Sequence, residues 1–204
     1  MAPKIHRGAT LTPHFRDFLP EWVSRQPWYQ GTGTPQLRPV GYYRFEDQNG
    51  EVGIETHLLS DGASLYQLPL TYRGAPAPGQ EAALISTTEH SVLGTRWIYD
   101  ATADPAWVAE LLWLVNRDGV AGLSMKSEVG PMHVHGRRLA EAELTEDDVE
   151  FIEVRRIVLA GSEAADLGES PVVGQLLGTW HPEGPGGTAA SGVLVVLHGS
   201  GAAR

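Results

Sequence analysis

"LRPVGYYRFEDQNGEVGIETHLLSDGASLYQLPLTYR", residues 37–73, holds three runs rich in aromatic and β-branched side chains, punctuated by Asn49-Gly50 and Asp61-Gly62. Asx-Gly pairs accept the positive φ that tight hairpins need, so they read as turns and the runs as strands. Two such turns in succession predict an antiparallel meander. In the third run Leu65, Leu68 and Leu70 do not alternate cleanly. Pro69, which has no N–H for a ladder, predicts an edge position or a bulge there.

Upstream lies "LPEWVSRQPWYQG", residues 19–31. Pro20 suits the first residue of a helix, with Leu19, Trp22 and Val23 turned inward. The helix is expected to stop by Gln26, because Pro27 disfavours α geometry in the residue before it. Trp28 and Tyr29 then form an extended pair. Downstream, "AALIST" and "TRWIYD" read as short strands around "TEHSVLG". "DPAWVAELLWLVN" follows as a helix with Asp104 as its cap, Pro105 in its first turn and Val108, Leu111, Leu112 and Val115 at helical spacing. Trp107 and Trp113 are expected in its core face. Beyond it, "LSMKSEV", "MHVHG", "EFIEVRRIVLA", "QLLGTW" and "GVLVVLHG" are strand candidates. "LTEDDVE" and "SEAADLG" read as connections or short helices, and "HPEGPGGTAAS" as a loop or hairpin tip. The fold class is α+β: a curved antiparallel sheet with a packed helix, followed by a second β-rich segment. The division falls at residues 1–118 and 119–204, the latter a separate β-rich segment, a degenerate remnant of a following subdomain, or an extension of the first sheet.

The chain has 204 residues, 42 % of them apolar, which is enough to bury a core. Acids outnumber bases by 25 to 15, for a formal charge of −10. Such a surface repels phosphate backbones, so nucleic acid is not an expected partner. With no cysteine, disulfides, thiolate nucleophiles and cysteine zinc sites are excluded. No run approaches bilayer length, and the first residues lack the apolar core of a secretory leader. The expectation is a cytoplasmic protein without a membrane partner.

Motifs that carry chemistry are few. No glycine-rich loop ends in the lysine that offsets phosphate charge, and "GTGTPQ" has two of the three glycines of a dinucleotide fingerprint. "HFRDFL", residues 14–19, is similar to a kinase catalytic loop, but Trp22 stands where that loop needs Asn. His133 and His135 in "MHVHG" would project from one face of a strand and begin a metal site, with Glu128 near in sequence and His57, His90, His181 or Asp100 as further donors. The expectation for them is an exposed or hydrogen-bonded pair. "HGSG", residues 198–201, has serine and histidine without a nucleophile elbow. Glu146, Asp147 and Asp148 read as solvated acids at a helix start. No catalytic residue and no cofactor is expected.

Two motifs carry a family resemblance. "LPEWVSRQPWYQGTGT" resembles the maltokinase opening "LPxWLPxQRWFAGKGR", sharing Leu19-Pro20, Trp22, Gln26, Trp28, an aromatic at Tyr29, and Gly31. "IYDATADPAWVAELLWLV" resembles that family's "VYDALHDPE…LL", and the likeness spans residues 15–116. It implies an N-terminal cap of cystatin- or monellin-like fold, a curved antiparallel sheet with a helix. The family's enzymes transfer phosphate from ATP to maltose with residues of a large C-terminal lobe, and none of those residues has a counterpart in this sequence. Pro27 and Thr32 stand where the family has Arg and Lys. "FIEVRR" is similar to a family strand "ILKVFR", in which Glu153 replaces a nucleotide-contacting lysine.

The resemblance implies a non-catalytic, actinobacterial cap-like protein, acting as an interaction or regulatory module in trehalose, maltose and α-glucan metabolism. Trp22, Trp28 and Tyr29 would supply the surface for a protein partner or for self-association. The alternatives are a small carbohydrate or metabolite binder whose aromatics stack on sugar faces, and a metal-dependent enzyme built on His133 and His135.

Overall fold

The computed structural model describes residues 8–123, 129, 132–164 and 170–200. Glu128, nearly all of "LSMKSEV" and part of "SEAADLG" lie outside them. In chain order the elements are β1 (Leu11–Thr12), α1 (Phe15–Ser24), β2 (Arg38–Glu46), β3 (Gly53–Ser60), β4 (Leu65–Arg73), β5 (Leu84–His90), β6 (Gly94–Asp100), α2 (Pro105–Asn116), β7 (Gly122–Leu123), β8 (His133–Arg138), β9 (Val149–Val154), β10 (Val172–Trp180) and β11 (Ala190–Gly199). They form a seven-stranded antiparallel sheet, in the order β1-β5-β6-β4-β3-β2-β7, and a four-stranded sheet, β8-β10-β11-β9. The fold is α+β, as the patterning predicts.

The meander β2–β3–β4 is held by its acidic turn residues. Asp47 Oδ2 accepts from the N–H groups of Glu51 and Val52, at 2.8 and 2.7 Å. Asp61 Oδ1 accepts from Ala63 and Ser64, and its Oδ2 accepts from the Tyr66 hydroxyl at 2.9 Å. Gly50 and Gly62 take positive φ, which explains glycine at both turns.

Helix α1 begins earlier than its proline suggests. His14 is the N-cap, and Asp17 accepts from the His14 N–H at 2.8 Å to complete a capping box. Pro20 therefore lies inside the helix and not at its start. It removes one internal bond, which the cap and the buried stripe of Phe15, Leu19 and Val23 offset. The kinase-like "HFRD" is thus a helix cap. After the helix, Tyr29 N–H donates to Gln26 O at 3.1 Å, so Pro27 and Trp28 sit in a turn, and Trp28 does not form the expected extended pair with Tyr29.

β4 is an interior strand, and both of its faces are covered. Tyr66, Leu68 and Leu70 pack with α1, Tyr42, Leu59 and Ile98. Leu65 faces the other core, where Tyr43, Phe45, Ile54 and Leu58 meet Trp107, Leu111 and Val115 of α2 and Leu176, Trp180, Val195 and Leu197 of the smaller sheet. That two-sided burial is why the leucines break strict alternation. Each such side chain, fully buried, contributes about 1.5–3 kcal/mol.

Pro69 has its own accommodation. On the side away from β3, Gln67 N–H donates to Arg156 O at 2.9 Å, and β6 pairing starts only at Leu70. Residues two apart on a strand direct their N–H groups the same way, so Pro69 occupies the break between these two partners. The proline marks a gap along an interior strand, not a sheet edge.

Two short segments border both sheets. Gly122 and Leu123 pair with β2, while Ala121 N–H donates to Val134 O and Gly119 O accepts from Gly136, both at 2.9 Å. Further on, Arg155 N–H donates to Leu194 O and Val158 N–H to Leu65 O. Helix α2 packs on glycines of the smaller sheet: a Cβ on Gly136 would lie 2.7 Å from Leu114 O. Trp107 is buried as expected, whereas Trp113 is 39 % exposed with the Arg117 guanidinium 4.8 Å above its ring.

Candidate functional site

The aromatics at the end of α1 gather around Tyr66. Trp28 and Tyr29 each lie 5.9 Å from the Tyr66 ring, and Trp22 meets Trp28 edge-on at 5.8 Å. All three are half-buried: they lean on the core and keep part of each ring at the surface. Tyr66 itself is fully buried, with its hydroxyl anchored on Asp61. Burial and the Asp61 carboxylate both push the Tyr66 phenol above its ordinary value. Burial raises the Asp61 carboxyl, but the N–H groups of Ser64 and Ala63 and the Tyr66 hydroxyl outweigh it and hold the group low. The shelf therefore stands on a hydrogen-bonded turn.

Beside the shelf, two carboxylates four residues apart in "DATAD" meet two arginines. Arg156 Nη2 donates to both oxygens of Asp100, at 2.7 and 2.5 Å, and to Thr102 Oγ1 at 3.2 Å. The Arg156 guanidinium also lies 5.7 Å from the Trp28 ring centre. This pair spans the two segments flanking Pro69, tying the chain after β9 to the end of β6. Arg73 clamps Asp104 through Nε and Nη2 at 2.7 and 2.6 Å, while Asp104 caps α2 by accepting from Ala106 N–H at 3.0 Å. Burial pushes the Asp104 carboxyl up, but the Arg73 guanidinium leads the interactions that hold it below the usual range.

A cleft of about 300 Å³ opens beside Trp22, lined by Gln26, Asp100, Thr102 and the small residues Ala82, Ala83 and Ala103. A second, of about 400 Å³, lies along the Gly74–Pro78 loop beside Arg73 and Pro105. Arg156 carries no motif and was not legible as a site residue. Its role appears only once the segment after β9 pairs with β4.

His133 and His135 lie on β8 and are both exposed, two residues apart on one face. Among the described residues, no group of three or more histidine, aspartate or glutamate side chains is placed to hold a metal ion. His57 is buried in β3, with Nε2 3.1 Å from the Tyr72 hydroxyl. His198 is buried in β11, stacked on Phe151 at 4.3 Å and 3.4 Å from Glu153. Asp148 and Thr145 form a capping box at the short helical turn Glu146–Asp148. No helix among the described residues is long and apolar enough to cross a membrane.

The architecture defines a class: a curled antiparallel sheet packed on a capped helix, extended by a second sheet. The family model of the maltokinase N-terminal cap domain matches residues 22–104, and that stretch of the chain is similar to the family's cap. The match takes in the aromatic shelf, the whole meander and both carboxylates of "DATAD", and ends as α2 begins. No curated protein matches the chain.

Proposed function

We propose that the chain is a non-catalytic, maltokinase-cap-like module that works by binding a partner, in trehalose, maltose or α-glucan metabolism. The observation that carries this reading is the cap match over residues 22–104, which contains the half-buried shelf of Trp22, Trp28 and Tyr29. Aromatics anchored on a rigid base and partly exposed suit a protein interface, because little side-chain freedom remains to be lost on binding. The pathway rests on family kinship alone, and kinship of fold does not transfer function by itself. Residues 119–204 are read as an extension of the cap, supported by the backbone pairing of 122–123 and 156–158 with the larger sheet, while 119–121 and Arg155 pair with the smaller one. The expected site of action is the cytoplasm.

The test is size exclusion and affinity capture with the wild-type chain and with Trp28→Ala/Tyr29→Ala. Retention of an α-glucan enzyme or formation of a dimer, lost in the double variant, supports the reading. A monomer that retains neither overturns it. A second reading, a small carbohydrate or metabolite binder, is favoured by one observation: Trp22 forms a wall of a polar cleft with Asp100 and Thr102.

A further inference from the structure

The cleft beside Trp22 has a composition that selects among ligands. An anion finds no cationic side chain in the lining and meets a chain that carries −10 as a whole, so it is disfavoured. A cation finds the Asp100 charge already compensated by Arg156, which holds both carboxylate oxygens. An apolar ligand would strip water from Asp100, Thr102 and Gln26 without replacing the lost hydrogen bonds. What remains is a neutral group rich in hydroxyls, each of which donates and accepts.

The hydrogen-bond inventory agrees. Asp100 Oδ1 takes Arg156 at 2.7 Å, Thr102 N–H at 3.1 Å and Thr102 Oγ1–H at 2.9 Å. Its Oδ2 takes Arg156 alone among the described residues, which leaves acceptor capacity. Gln26 commits Nε2 to Trp22 O at 3.1 Å, so its Oε1 remains to accept. Both acceptors belong to side chains whose orientation is already set by another bond. The half-buried Trp22 lines the cleft, and its edge-on contact with Trp28 holds its ring in place. Ala82, Ala83 and Ala103 leave the opposite side unfilled. A cleft of about 300 Å³ is at the small end of ligand sites, which limits the occupant to one ring.

We propose that this cleft binds a single neutral polyhydroxylated ring, a monosaccharide or a cyclic polyol. Trp22 stacks on its C–H face, and Asp100 and Gln26 accept from two of its hydroxyls. The proposal rests on the small-ligand reading above and adds its site and ligand class. Thr102 is the positioning residue, bracing Asp100 against Arg156.

The test uses the full chain, isotopically labelled, with amide and indole resonances followed during titration by glucose, myo-inositol and glucose 1-phosphate. Glucose or inositol is expected to shift the Trp22 indole, the Gln26 side-chain amide and the Thr102 amide together. The dissociation constant is expected to be on the order of 1–10 mM, as suits few contacts in an open cleft. The phosphate ester is expected to bind at least about tenfold more weakly through charge repulsion. Gln26→Leu, which keeps the side chain's bulk but removes its Oε1 acceptor along with its bond to Trp22 O, is expected to weaken binding about fivefold, and Trp22→Ala about tenfold or more. If Trp22→Ala fails to fold, Gln26→Leu still decides. Shifts confined to another surface overturn the site while sparing the small-ligand reading. No saturable shift by either neutral ring up to about 50 mM overturns the site and that reading together. Equal affinity for the phosphate ester overturns the assigned class.

Discussion

Asp100 and Asp104 cap successive helical turns, and each meets an arginine from a distant part of the chain, yet their surroundings differ. The Asp104 side chain is fully buried, whereas Asp100 is 17 % exposed and lines a cleft. Arg73 and Ala106 N–H hold Asp104 between the end of β4 and the start of α2. Asp100 has comparable partners on one oxygen and acceptor capacity to spare on the other. The difference teaches that an arginine–aspartate pair is structural or available according to what closes over it, not according to its own geometry.

The largest effect is expected at the sealed pair. Asp104→Ala removes the cap of α2 and leaves the Arg73 guanidinium, 26 % exposed, without its clamp, which should cost about 2–3 kcal/mol. Asp100→Ala, at the open pair, should cost about 1–2 kcal/mol, because Asp100 is itself partly solvated and caps only a short helical turn. Urea denaturation of both variants checks the order. Equal losses would erase the distinction between sealed and open.

One of these two acids was legible in advance in its structural role. "DPAW" before an apolar helix announces Asp104 as a cap, because N-cap chemistry is local and Pro105 fixes the next residue. The meander was legible for the same reason, since Asp47 and Asp61 hold their own turns within a few residues. Asp100 looked like one loose metal donor among several. Its true partner, Arg156, is 56 residues away and becomes a neighbour only through pairing of the segment after β9 with β4. The start of α1 was misplaced because Pro20 is a strong local signal and His14 an uncommon cap. Trp113 was placed in the core because spacing alone does not show that Arg117 covers its ring at the surface.

Acid separates the two pairs in a second way. Asp104 has a lowered value in the folded chain, so its contribution is fully present above the unfolded carboxylate value, about 3.9, and is lost as pH falls through its lower folded value. Asp61 acts in the same direction. The wild-type melting temperature should therefore fall below about pH 4, and Asp104→Asn should start lower at neutral pH and show a shallower acid limb. An acid limb of unchanged slope in that variant would remove Asp104 from the account of acid unfolding.

A smaller effect is expected from Arg156→Met, which keeps the stem beside Trp28 and removes the charge. Asp100 retains Thr102 and gains water, so the loss should be about 1 kcal/mol. A double-mutant cycle with Asp100→Asn measures the coupling, and the same cycle on Arg73 and Asp104 should return at least about twice as much. A larger coupling at the open pair would reverse the comparison.

The smallest effect is expected at Pro69, where the two pairs are separated along β4. Pro69→Ala restores an N–H that points the way the Gln67 N–H points, into the interval between Arg156 O and the start of β6 pairing. Among the described backbone bonds none reaches into that interval, so the new donor should gain little. The unfolded chain meanwhile becomes freer, which destabilises by about 0.5–1 kcal/mol. The expected result is a shift of that size in urea, with no change in hydrogen-exchange protection of the Gln67 and Thr71 amides. A stabilised variant would mean that the restored N–H had found a carbonyl. The segment after β9 and β6 would then form one continuous edge along β4, and the Asp100–Arg156 pair would be a surface ornament on that edge instead of the clip across its break.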